Sequence, residues 1–126
     1  MTMVLAIASG GALGAVLRHF MNNAVGAWLG GGFPWGIFAI NVAGSFAMGV
    51  LIALFAHVWE PPQEMKAFLT VGILGGFTTF STFSLDAVTL LERGATGAAA
   101  LYTGGSVALA IGGLYAGMMI VRVMTA

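Results

Sequence analysis

The chain has 126 residues, of which 60% are hydrophobic and 6% charged, with 20 glycines, no cysteine and a net charge of zero; its mean hydropathy is +1.02. These figures exclude an ordinary soluble domain and point to a polytopic membrane protein surrounded by lipid. Without cysteine there are no disulfides, thiolate metal sites or thiol catalysis, and without a basic run there is no case for nucleic acid or a purely electrostatic hold on anionic lipid.

A bilayer core of about 30 Å takes about 20 mainly apolar residues as helix. On that measure the sequence predicts a single all-α domain over residues 1–126, with four transmembrane helices at roughly 4–29, 34–56, 67–92 and 95–123. The apolar N-terminus lacks a basic leader and runs on past Arg18, so it reads as a retained first helix rather than a signal peptide. Gly30-Gly31-Gly32-Phe33-Pro34 punctuates the first join, His57 to Gln63 with Pro61-Pro62 the second, and Glu92-Arg93-Gly94 the third. Trp28, Trp35, Trp59 and Tyr115 fall towards span ends, where interfacial aromatics collect.

In the first span Gly10 and Gly14 make a GxxxG step for close helix packing, with Gly11 and Ala15 one position on. Arg18 continues that stripe by one turn. Its guanidinium either points where helices meet or into a wet vestibule, where it can recruit an anion, or it snorkels to the headgroups. His19 and His57 have no partner at metal-ligand spacing and read as interfacial or packed. In the second span Ala39, Ala43 and Ala47 form a small-residue ladder beside a stripe of Asn41, Ser45 and Gly49. Asn41 sits mid-span, where an amide is costly unless it bonds across helices or to something passing through. Ser45 can bond back along its own helix and needs no other role.

The third span carries the most unusual segment. Residues 75 to 84 read Gly-Gly-Phe-Thr-Thr-Phe-Ser-Thr-Phe-Ser, and polar or non-helical backbone at membrane depth is tolerated only where protein buries it or a wet path runs alongside. Phe80 and Phe83 share a helical face, and their ring edges are positively polarised towards an anion. Thr79, Ser81, Thr82 and Ser84 supply hydroxyls that a plain apolar core would not want. The Gly75-Gly76 and Thr78-Thr79 pairs favour a break that frees carbonyls for a monovalent cation such as sodium, the alternative being glycines within a continuous helix. In the fourth span Tyr102 and Ser106 lie on one stripe among glycines and either line the same path or, for Tyr102, belong to the interfacial belt.

The four cations nearly cancel the positive-inside bias, because Lys66 and Arg122 share one side while Arg18 and Arg93 lie towards the other. Insertion in both orientations follows, unless so few charges are simply too small a sample. A chain that inserts both ways can pair antiparallel about a twofold axis in the membrane plane. The carboxylates, Glu60, Glu64, Asp86 and Glu92, form no recognisable catalytic set, so no enzyme is expected.

Taken together, Gly10-Gly11-Ala12-Leu13-Gly14-Ala15-Val16-Leu17-Arg18, Asn41-Val42-Ala43-Gly44-Ser45 and the run from Gly72 to Phe83 resemble the Fluc family of fluoride channels, also called CrcB proteins, over essentially the whole chain. The resemblance implies a dual-topology antiparallel homodimer in the bacterial inner membrane, with two pores that passively export cytoplasmic fluoride. It implies a fluoride path along Asn41, Phe80, Phe83, Ser81, Thr82, Tyr102 and Ser106, with Arg18 at the vestibule. It also implies a structural sodium ion on the backbone carbonyls of Gly75 and Thr78. The sequence departs from the family pattern at His19 and Ile37, and Ala110 and Leu114 carry no hydroxyl on the i+4 steps after Ser106. The alternative of a different class is a small dual-topology, proton-coupled multidrug exporter, which needs a glutamate in the first helix; residues 4–29 contain no acidic residue.

Overall fold

The computed structural model describes residues 1–126 as an all-helical chain. Four stretches are long and apolar enough to cross a membrane: Thr2–Leu29, Trp35–His57, Gln63–Glu92 and Thr96–Thr125. Three are unbroken helices, here α1 (Thr2–Leu29), α2 (Trp35–His57) and α5 (Thr96–Thr125). The third stretch is bent and divides into α3 (residues 63–77) and α4 (Phe80–Glu92). The ends follow the turn chemistry. Pro34 and Pro62 immediately precede α2 and α3, while Gly30 and Gly94 take φ values of 89° and 80° that side-chain-bearing residues rarely adopt.

The third stretch starts four residues earlier than its hydropathy suggests, since Pro61-Pro62 set the start and the polar Gln63–Ala67 turn is already helical. It then widens into a π-helix over Phe68–Leu74. The Thr70 hydroxyl donates to the Lys66 carbonyl at 2.7 Å, competing for the acceptor that an α-helical Thr70 N–H would use.

Glycine places the helices. A Cβ on Gly10 would stand 2.9 Å from the Gly72 Cα, and one on Gly14 would meet the Ile73 carbonyl and stand 2.8 Å from the Phe77 nitrogen. The GxxxG step therefore seats α1 on α3, backbone to backbone. The α2–α5 contact is equally close at Gly49 against Leu114 and at Gly117 against Phe46 and Val50. The expected Ala39, Ala43, Ala47 ladder is not that seam: Ala43 is exposed, and the close approaches on α2 fall at glycines, Gly36 against Asn22, Gly44 against Thr78 and Gly49 against Leu114. Only 19 residues are buried, six of which, Ile37, Ile40, Phe83, Leu90, Ala99 and Tyr102, form one apolar cluster, while Leu101, Val123 and Ile111 lie outward. That outward apolar surface suits hydrocarbon as its solvent.

Candidate functional site

The bend lies at Thr78 and Thr79, whose backbones are extended (ψ 159° and 125°). One side chain holds it. Asn41 on α2 accepts from the Thr79 N–H at 2.9 Å and donates to the Thr79 carbonyl at 3.0 Å, replacing with its amide the backbone partners lost there. The Thr79 hydroxyl then caps α4 by accepting from the Thr82 N–H at 3.1 Å. These two bonds have a further effect. In a continuous helix the Gly75 carbonyl would take the Thr79 N–H and the Thr78 carbonyl the Thr82 N–H. Both donors are spent on side chains, so both carbonyls are left without their helical partners, and Gly75 is exposed on the flank. Neutral carbonyl oxygens with no carboxylate among them suit a hard monovalent cation better than calcium or magnesium.

Beside the bend lies a cavity of about 310 Å3 lined by Asn41, Ser45, Thr79, Phe80, Phe83 and Ser106, with Thr78, Val107, Ala110 and Ile111 completing the wall. Phe80 is 78% exposed and Phe83 is 8% exposed, with ring centroids 5.5 Å apart, so one ring stands at the open flank and the other against the core. Ser106 is the sharpest feature. Its hydroxyl is buried and has no hydrogen-bond partner, the one such side-chain atom in the protein. An unpaired hydroxyl in a low-dielectric interior costs about 1–3 kcal/mol unless something enters to use it.

A second cavity, of about 330 Å3, opens at the end where the α1–α2 join meets the end of α4. Its polar lining is Asn22, Thr82, Asp86, Thr89 and Arg93, beneath the Gly30–Pro34 segment. Arg93 donates to the Gly32 carbonyl at 2.9 Å, fastening that segment. Tyr102 stands behind both cavities: it is fully buried, packs on Phe83 at 5.1 Å and Phe33 at 5.5 Å between centroids, and donates its hydroxyl to Asp86 at 3.0 Å.

Comparison with known proteins decides the family. Residues 5–118 match the model of the family described as CrcB-like protein, Camphor Resistance (CrcB). The chain is similar to the fluoride-specific ion channel FluC of Rhodospirillum centenum, 56% identical over 126 residues and the full length of both chains. It is similar to FluC of Nitrobacter winogradskyi at 54% identity with 98% of each chain covered, and to FluC of Agrobacterium fabrum at 45% with 97% and 98% covered. The chain belongs to the CrcB family. It is a multi-pass membrane protein of a family whose relatives are named as ion channels, a non-enzymatic class.

Within this CrcB chain the fold brings Asn41, Phe80, Phe83 and Ser106 to one cavity. Thr82 lines the second cavity instead, and the exposed Ser81 is turned to the Thr79 hydroxyl at 3.4 Å. Tyr102 is no belt residue, being wholly internal, and it reaches the first cavity only through Phe83. Arg18 is half-buried on α1 and lines neither cavity. Sequence reasoning missed Asn22 and Asp86. Asp86 had a signal, as the one acid well inside a span, where an ionisable residue is expected to have a named partner.

Proposed function

We propose that this chain is a fluoride-selective channel subunit of the bacterial inner membrane, passively releasing cytoplasmic fluoride and so reducing its toxicity. The observation that carries the reading is the unpartnered Ser106 hydroxyl in a cavity that also holds the Asn41 amide and the Phe80–Phe83 pair. Relatives named as fluoride-specific channels at 45–56% identity support it independently.

Fluoride is small and strongly hydrated, so a path for it must replace water with donors and positively polarised edges. Asn41 spends one Nδ2 proton on the Thr79 carbonyl and keeps the other for an ion. Ser106 turns its hydroxyl to the anion at no cost in protein bonds, because it makes none. The edges of Phe80 and Phe83 add quadrupolar attraction without offering a proton that the anion could strip. Thr82 in the second cavity and Ser81 at the start of α4 extend the donor series, while Tyr102, its proton held by Asp86, backs the path through Phe83. Arg18 raises the local anion concentration at the vestibule.

We further propose that two copies pair antiparallel to give two pores. Phe80 stands 78% exposed at the flank of the cavity, and a second copy would close it. The Gly75 and Thr78 carbonyls of both copies would together hold a structural sodium ion, since two neutral oxygens from one chain fall short of what a hard cation requires. Its contribution is to neutralise the carbonyl ends of the two bends. A proton-coupled exporter finds no support: it needs a carboxylate free to cycle, and Asp86 is engaged by Tyr102.

The test is fluoride efflux from liposomes containing the purified protein, followed with an electrode, with potassium and valinomycin for charge balance and chloride as control. Fast fluoride efflux with no comparable chloride efflux is expected. A folded protein that releases neither ion would refute the channel reading.

A further inference from the structure

Six serines and threonines of this chain, Ser9, Thr70, Thr78, Ser84, Thr89 and Thr125, turn their hydroxyls onto the carbonyl four residues back at 2.7–2.9 Å. That bond satisfies a helical hydroxyl without any partner from outside its own helix. Of the four hydroxyls in the first cavity's wall, Thr78 makes this bond and Thr79 caps α4, while Ser45 and Ser106 make no hydrogen bond within the chain. Ser45 is half-buried, one turn beyond Asn41 on α2, and lines the cavity.

Helix register shows what Ser45 supplies. On α5 the stripe Tyr102, Ser106, Ala110, Leu114 begins polar and turns apolar halfway, yet the cavity runs on past Ser106 to Ala110 and Ile111. Gly105 lies beside Phe38, Gly113 beside Val42 and Phe46, and Gly117 beside Val50, so α2 and α5 run parallel in matched levels. Ser45, next to Phe46, therefore comes level with the gap between Ala110 and Leu114. The donor series continues by changing helix, from Ser106 on α5 to Asn41 and then Ser45 on α2.

We propose that Ser45 is a conducting hydroxyl, a direct contact for the anion at the depth where the fourth span has none. The proposal rests on the fluoride-channel reading. It assigns Ser45 a role in anion selection that the helix-packing motif around it does not require.

The experiment compares fluoride efflux from liposomes for wild type, Ser45→Ala, and Ser45→Ala combined with Ala110→Ser, with the oligomeric state of each checked by size-exclusion chromatography. Losing one hydrogen bond to a charged group should slow Ser45→Ala about tenfold. Ala110→Ser, which returns a hydroxyl to the same depth from the facing helix, should restore most of that flux, as no packing role would predict. Wild-type rates in Ser45→Ala overturn the proposal while leaving the channel reading intact. A loss that Ala110→Ser does not restore assigns Ser45 to packing and also overturns it. Absence of flux in folded wild type refutes the channel reading itself, and this proposal with it.

Discussion

Asn41→Ala removes both bonds that hold the bend, and the structure sets the size of the effect. The Thr79 N–H loses its acceptor at 2.9 Å, and Thr79 is only 8% exposed. A donor stranded there costs about 1–3 kcal/mol. The Thr79 carbonyl loses less, because the first turn of α4 offers it another N–H. Side-chain hydrogen bonds between membrane helices average about 0.6 kcal/mol, which bounds this second loss. The sum is about 2 kcal/mol, measured by SDS-titrated unfolding in mixed micelles with tryptophan fluorescence as the signal. Asn41→Asp keeps an acceptor for Thr79 and should recover part of the stability. It should not recover fluoride conduction, since a carboxylate now faces the anion. An Asn41→Ala protein within about 0.5 kcal/mol of wild type would show that the amide does not hold the bend, and the account of the freed carbonyls would fall with it.

Other expectations follow from the same contacts. Gly14→Ala should separate α1 from α3 and unfold at markedly lower SDS, whereas Gly11→Ala, whose Cβ meets nothing within 4 Å, should be neutral or gain up to about 1 kcal/mol of helix propensity in the same titration. Thr79→Ala should cost about 1 kcal/mol by uncapping α4, and equal stability in that titration would remove the cap from the argument. Phe80→Ile, at a site 78% exposed, should leave folding unchanged but impair fluoride efflux; normal efflux would take the ring out of the path. Tyr102→Phe strips Asp86 of its hydrogen bond and should destabilise more than Asp86→Asn, which keeps an acceptor for the Tyr102 hydroxyl; the reverse order on unfolding would contradict the pairing.

The four spans were legible because a bilayer imposes one length and one solvent on every segment, and Pro34, Pro62, Gly30 and Gly94 mark their ends with residue-specific geometry. The bend was legible too, but its cause was not. Gly75 and Gly76 are helical, and Gly76 serves packing, with a Cβ there standing 2.7 Å from the Gly11 carbonyl oxygen. The break falls at the two threonines, where Asn41 reaches across 38 residues of sequence to replace the helical bonds. No local propensity encodes such a partner. The π-helical stretch was likewise hidden, since Phe68–Leu74 is apolar but for Thr70 and offers no periodicity from which to count residues per turn. The candidate residues could be named from the sequence only as a list of types, and their division between two cavities depends on helix rotation. Thr82 and Phe83 are neighbours in sequence and open onto different spaces.

The dependence of the bend on Asn41 also bears on how the protein is made. Alone in hydrocarbon, the 63–92 segment would expose the Thr79 N–H and two unpaired carbonyls to lipid, an arrangement a bilayer does not tolerate. It must therefore either enter as a straight helix and kink later, or leave the insertion machinery with α2 already alongside. Biogenesis then has an order written into one amide: the second span is the chaperone of the third. A chain truncated after residue 92 should already form the contact between 41 and 79, readable by crosslinking, before the fourth span exists.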